Sequence, residues 1–324
     1  LVQLKTESNS KMLQSSNLNR LYSTKLVGLD VYFNEMLKLY EAKKFPKVLM
    51  LNGKKGIGKF TLVFHFINYI FSKKDTNSYN TADKSINVNS TFYNLLLNNT
   101  AQDVIFIRAS ENKNIKIEDI RLLKSTLSNS TLSDKSRFII IDEVEFMNTN
   151  SVNALLKTLE EPTSNNFFIL INNQQTNLIE TISSRCLKTS IFLTSAQKNE
   201  VINYLVEDRG IENLIDIDKD LSPGLFLKFN EIYLKYKINK SDNIFIKLNI
   251  LINAYKKEKD KSLISLTYFL IDYFFFNKIH INMNKIEFLL DAKSSINKTI
   301  KDFVQFNLNT NTVLNSIKIK LNNV

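Results

Sequence analysis

Apolar residues at Leu29, Phe33, Met36, Leu37 and Tyr40 recur at the spacing of one helix face and predict a helix over 29–43. Pro46 closes it. The run Val48-Leu49-Met50-Leu51 that follows is apolar without alternation, the pattern of a strand buried on both faces. Glycines at 53, 56 and 58 separate this strand from a segment, 60–71, that is apolar on nearly every side, as a helix laid against a sheet should be. The polar stretch 73–90 reads as a surface insertion. Strands and helices then alternate: strand 104–107, helix 117–127, strand 138–141, helix 151–159, strand 167–171 and a last strand near 189–192. Buried strands interleaved with amphipathic helices predict a parallel sheet covered on both faces. Beyond Leu193 the strand pattern stops. A helix N-capped by Thr194 runs to Gly210, and the rest is helical, with breaks near Pro223-Gly224 and Lys240-Ser241. The pattern therefore divides the chain into a loose polar lead-in (1–25), an α/β domain (26–193), a small helical unit (194–240) and a larger helical domain (241–324).

Composition narrows the chemistry. With 324 residues there is room for roughly two domains. Six Gly and three Pro leave long, uninterrupted elements and argue against a collagen-like or Pro-rich chain. The single cysteine, Cys186, can form neither an internal disulfide nor a cysteine-built zinc site. Only His65 and His280 remain as imidazole ligands, so no metal centre is expected from them. His65 lies in the apolar helix after the glycines and His280 beside Phe274, Phe275, Phe276 and Ile281; both read as packed or capped, and Cys186 as a small buried side chain. The lysine-rich run 256–261 reads as a solvated helix end or loop. A formal charge of +11 favours a polyanionic partner, although an A+T-rich genome would impose many lysines whatever the function. The stretch 263–281 is interrupted by Asp272, Asn277 and Lys278 and predicts a buried helix or helix pair rather than a membrane span. Residues 1–25 lack an apolar signal-peptide core, and the first residue is not Met, with Met12 an alternative start. The cytoplasm is the expected location.

Three segments carry candidate chemistry. Gly53-Lys54-Lys55-Gly56-Ile57-Gly58-Lys59-Phe60-Thr61 fits the phosphate-loop pattern at Gly53, Gly58 and Lys59 and departs from it at Phe60. Glycines between a strand and a helix let backbone N–H groups curl around a phosphate, and Lys59 would reach the outer phosphates. Position 60 should carry the hydroxyl that ligates Mg²⁺; Thr61 next door points elsewhere on the helix. About 80 residues on, Phe138-Ile139-Ile140-Ile141 ends in Asp142-Glu143, where a metal-holding Asp and a water-polarising Glu would stand. At the end of strand 167–171, Asn172 or Asn173 could sense a γ-phosphate, with Asn173 preferred.

Asn153-Ala154-Leu155-Leu156-Lys157-Thr158-Leu159-Glu160-Glu161-Pro162 and Ser183-Ser184-Arg185-Cys186, following the two segments above, resemble the clamp-loader branch of the AAA+ ATPases, in the order found in the bacterial DNA polymerase III clamp loader. The resemblance covers 26–193 well and the helical remainder only by architecture. It implies an α/β P-loop AAA+ module, a small helical lid and a C-terminal all-α collar. It also implies that Arg185 is an arginine finger acting in trans on a neighbour's ATP, with Glu143 at most vestigial. Of the family's subunit types, three departures favour the delta-prime type, which has a degraded site, over the hydrolysing gamma/tau motor. Phe60 replaces the hydroxyl residue, Leu225 follows Ser222-Pro223-Gly224 where a sensor arginine is expected, and the motor's zinc cysteines are absent. Asp142-Glu143, by contrast, is intact. The implied partners are gamma/tau and delta subunits, the sliding clamp and, through the assembled ring, primer–template DNA. No membrane partner, no required cofactor and weak or absent ATP/Mg²⁺ binding are expected, with Gly53, Gly56, Gly58, Lys59, Thr61, Asp142 and Asn173 as the degenerate nucleotide site. Asp142 would be the ligand if Mg²⁺ binds. The chain alone is expected not to hydrolyse ATP. Two rivals remain: an active gamma/tau-type ATPase, and a nucleic-acid-binding protein that uses the fold as a scaffold.

Overall fold

The computed structural model describes residues 23–108, 114–128, 136–163, 165–215, 221–281 and 283–322. The expected lead-in lies, up to residue 22, outside them, as does Met12. The chain forms two compact units, Leu1–Gly210 with Ser222–Gly224, and Ile211–Leu221 with Leu225–Val324. The segment 194–240 is divided between them.

The first unit is built on α1 (Asp30–Glu41), β1 (Val48–Asn52), α2 (Lys59–Ser72), α3 (Thr91–Leu97), β2 (Val104–Arg108), α4 (Ile117–Ser128), β3 (Arg137–Asp142), α5 (Thr149–Glu160), β4 (Asn166–Asn172), α6 (Glu180–Ser183), β5 (Leu187–Ser190) and α7 (Ser195–Arg209). All five strands are parallel, in the order β2-β3-β4-β1-β5. Alternate residues of β1 to β4 feed two separate cores, which is why those strands read as unbroken apolar runs. Leu49, Leu51, Phe138, Ile140, Ile169 and Ile171 meet Phe33, Leu62, Val63, Phe66 and Ile67 of α1 and α2. Met50, Ile105, Ile139, Ile141, Phe168 and Leu170 meet Ile120, Leu123, Val152, Leu155 and Ile182 of α4, α5 and α6. The sheet is covered on both faces, as predicted. α7 carries the predicted cap: the Thr194 side chain accepts from the Gln197 N–H, Gln197 returns to the Thr194 N–H, and Gly210 ends the helix in the left-handed region.

The sequence pattern misplaced three features. β5 lies two residues before the expected 189–192. As an edge strand it exposes Leu187, while the apolar signal at Ile191 and Leu193 comes from burial past the strand's end. The stretch 73–90 is not only surface. Tyr79 and Ile86 enter the core, Asn80 and Ser85 bridge, and Asp75 Oδ2 accepts from the Ser90 hydroxyl and the Phe92 N–H at the start of the unpredicted α3. His280, expected to pack like His65, is exposed, its ring edge-on to Phe276 at 4.4 Å.

The second unit is helical: α8 (Pro223–Tyr236, whose first two residues belong to the other unit), α9 (Ile244–Glu258), α10 (Lys261–Ile281), α11 (Ile286–Phe306) and α12 (Thr310–Asn322). The four last helices each pack on the next, and α12 closes back on α9. The stretch 263–281 is one helix, with Leu263, Leu266, Leu270, Ile271 and Phe275 inward. The charge run falls on the end of α9 and its left-handed cap Lys259. Among the described residues no helix is long and apolar enough to cross a membrane.

Candidate functional site

The carboxyl ends of β1, β3 and β4 bring the sequence-predicted nucleotide residues together. β1 runs into the glycine loop, which α2 closes from Lys59 onward. Gly56 and Gly58 have φ of +82° and +95°, conformations that a side chain would strain. Gly53 is needed for another reason: a Cβ there would lie 2.4 Å from the Ile191 carbonyl oxygen just past β5. Every carbonyl from Gly53 to Gly56 has a partner within the unit. Lys59 Nζ donates to the Gly53 and Lys54 oxygens at 2.7 and 2.8 Å, the Ser222 hydroxyl to Lys55 O at 2.7 Å, and the Gly224 N–H to Gly56 O at 2.8 Å. The phosphate-loop lysine is thus folded back on its own loop. Burial pulls its pKa down to about 8 against the opposing pull of Asp142 and Glu145.

Phe60 is buried, its ring tilted against Phe106 at 5.5 Å, whereas Thr61 is only half-buried on the next position of α2. Asp142 ends β3 and is almost wholly enclosed, and burial pushes its carboxyl above the ordinary range while Arg108 pulls it back. Oδ1 accepts the Glu143 N–H at 2.9 Å. Oδ2 lies 2.6 Å from Arg108 Nη2, an ion pair whose angle is not that of a hydrogen bond. Arg108 ends β2 at the register position directly beside Asp142, and its guanidinium stands 5.4 Å from the Phe60 ring centre. Glu143 adopts the left-handed conformation, φ +58°, and its carboxylate pairs with Lys55 Nζ at 2.9 Å. Asn172 donates its amide to Asn52 Oδ1, and the buried Asn173 gives its backbone N–H to Glu145 Oε1. Burial also raises the Glu145 carboxyl.

As arranged, these side chains do not fit Mg²⁺. The hydroxyl ligand is missing at Phe60, and the carboxylates of Asp142 and Glu143 each face a cationic side chain of this chain. Sequence reasoning missed Arg108, Lys55 and Glu145. Arg108 was in principle findable, because VIFIR and RFIIID are adjacent strands whose last residues come level.

Arg185 is not part of this cluster. It follows α6 and precedes β5, so it stands at the amino end of the sheet. Its Nε donates to Glu160 Oε1 at 2.7 Å and its Nη1 to Thr181 O at 2.8 Å, with the side chain about one-third exposed. Glu160 is the last residue of α5, another contact the sequence did not disclose. Cys186 is half-buried, its thiol donating to Ile182 O; burial pushes it up to about 11, which keeps it protonated and unreactive at neutral pH. His65, fully buried, is held between Tyr79 and the Ser23 carbonyl, away from the glycine loop.

A five-stranded parallel sheet with β1 between β4 and β5, a glycine loop after β1 and an Asp-Glu pair at the carboxyl end of β3 defines a P-loop protein of the AAA+ class. Residues 30–195 match the family described as DNA polymerase III, delta subunit, and the chain belongs to that family. Among curated relatives, DNA polymerase III subunit delta' of Buchnera aphidicola (from Acyrthosiphon pisum) is 25% identical over 167 residues, covering 52% of this chain and 49% of that protein. Its counterpart in Pseudomonas aeruginosa is 28% identical over 148 residues, covering 45% and 43%. The matched region thus spans about half the length of these relatives. A DNA polymerase III gamma subunit-related protein from Thermotoga maritima superposes with a TM-score of 0.46 at 18% identity, over 90% of this chain and 98% of that one.

Proposed function

We infer that this chain is the delta-prime-type subunit of a DNA polymerase III clamp loader, one that does not turn over ATP itself but lends Arg185 to the nucleotide of a neighbouring gamma/tau motor. In the assembled ring, with delta, it helps open the sliding clamp and close it around primer–template DNA. The observation that carries this reading is where Arg185 stands on the sheet. Leu187 of β5 pairs with Leu49, near the start of β1, and Arg185 lies in the turn that leads into β5, whereas the glycine loop begins after Asn52 at the other end of β1. From Leu49, opposite the first residue of β5, to Gly53 is already four residues of strand, roughly 13 Å, and Arg185 lies before β5 begins. One side chain cannot span that distance, so a nucleotide touched by Arg185 belongs to another subunit. A guanidinium supplied in trans stabilises charge developing on the γ-phosphate, an effect worth about 10³–10⁵ in rate for arginine fingers generally.

The test is a ring reconstituted with Arg185→Ala. Assembly and the fold of the chain are expected to be retained, and clamp- and DNA-dependent ATP hydrolysis to fall, by less than the single-site figure because other sites keep their own fingers. Arg185→Lys restores little, since an ammonium lacks the planar fork. Unchanged hydrolysis in a normally assembled ring refutes the finger. The motor-type rival rests on the intact Asp142-Glu143 pair; steady-state phosphate release by the isolated chain at the rate of a motor subunit would revive it. Salt-sensitive DNA binding by the isolated chain would instead favour the scaffold rival.

A further inference from the structure

We propose that Arg108 and Lys55 are resident cations that supply, inside this chain, the two positive charges a divalent metal would bring to Asp142 and Glu143, so that the site excludes Mg²⁺ by occupation as well as by lacking a hydroxyl. The two carboxylates are adjacent in sequence and each meets one of these side chains, Asp142 meeting Arg108 at 2.6 Å and Glu143 meeting Lys55 at 2.9 Å. The contact with Arg108 is built into the sheet, because β2 and β3 end level and place Arg108 beside Asp142 in register. Phe60 completes it. Where a hydroxyl would hold a metal, an aromatic ring stands by the guanidinium, an arrangement that favours an organic cation over a hydrated ion. A buried carboxylate without a partner is costly, so the position demands a counter-charge whether or not nucleotide is present. A metal entering here would have to displace a cation already paired at contact distance on each carboxylate.

This inference rests on the reading of the chain as a subunit that does not turn over ATP, but its test needs neither ring nor DNA, so the two can fail separately. Binding of a fluorescent ATP analogue to the full chain is measured in Mg²⁺ and in EDTA for the native protein, Phe60→Ser, and Phe60→Ser with Arg108→Met, which removes the cation but keeps an apolar stem at the end of β2. Native protein and Phe60→Ser are expected to bind equally with and without Mg²⁺, or not at all. The double variant is expected to gain at least about tenfold from Mg²⁺, the metal now meeting a free carboxylate and a hydroxyl. A Mg²⁺-dependent gain in Phe60→Ser alone overturns the proposal, because the missing hydroxyl would then be the whole barrier. No gain in a folded double variant overturns it too. Should the double variant fail to fold, Phe60→Ser decides alone: equal binding supports the resident cations, and a gain refutes them.

Discussion

His65 ties two segments to the back of the helix that follows the glycine loop, and its pH response can be worked out from its surroundings. The Ser23 carbonyl can only accept, so Nε2 carries the proton and donates at 3.0 Å; Nδ1 therefore accepts from the Tyr79 hydroxyl at 2.9 Å. Protonating Nδ1 would turn the Tyr79 hydroxyl from donor to acceptor and place a charge where no solvent reaches. Burial accordingly pulls the imidazole down to about 4 from 6.5, the Ser23 bond offsetting part of it. Between these values the unfolded chain binds a proton that the folded chain refuses, so stability is full above about pH 6.5 and declines as the pH falls toward 4. At pH 4.5 the loss from this one group is about 2–3 kcal/mol relative to pH 7.5. Urea unfolding of the native chain and His65→Gln, compared across that range, isolates the contribution, since other carboxylates titrate in both. The native protein is expected to lose about 2–3 kcal/mol more than the variant. Parallel profiles would refute the assignment of a neutral, doubly bonded imidazole.

Gly53→Ala is expected to destabilise the fold by about 1–3 kcal/mol in chemical unfolding, because its Cβ would strike the Ile191 backbone oxygen. Gly210→Ala, whose Cβ meets nothing within 4 Å, should lose only about 1 kcal/mol for its left-handed φ of +57°. Glu160→Gln should change unfolding stability by no more than about 1 kcal/mol, the pair with Arg185 being partly exposed; a larger loss would mark it as a structural pair.

The alternation of apolar strands and amphipathic helices carried most of the first unit, since a sheet covered on both faces leaves no ambiguity about which segments are strands. Short elements were harder to read. α3 has seven residues, too few for a helical period to stand out beside the polar stretch before it. At β5 the apolar run and the hydrogen-bonded ladder are offset, and only the run is visible in a sequence. The glycine loop and the Asp-Glu pair were legible because each is local. The contacts that decide their chemistry are not: Arg108 reaches Asp142 across 34 positions through strand register, and Glu160 reaches Arg185 across 25 through the return of the chain after β4. Gly53 carries a further constraint that only the fold reveals, because the close neighbour it avoids is a backbone carbonyl past β5.

The clasp between Arg185 and Glu160 also bears on how readily Arg185 could exchange partners, as the proposed trans role requires. A partly exposed ion pair of this kind contributes at most about 1 kcal/mol, less than a tenfold bias in equilibrium. Long side chains, however, lose substantial rotamer freedom when they dock, and here much of that freedom is already gone, the guanidinium being pinned at Nε by Glu160 and at Nη1 by Thr181 O. On the proposed trans role, transfer to a triphosphate would be a swap of one anion for a more highly charged one by an already ordered side chain. Such a swap is nearly free in the resting state and sensitive to ionic strength, so added salt should loosen the clasp before it disturbs the fold beneath it.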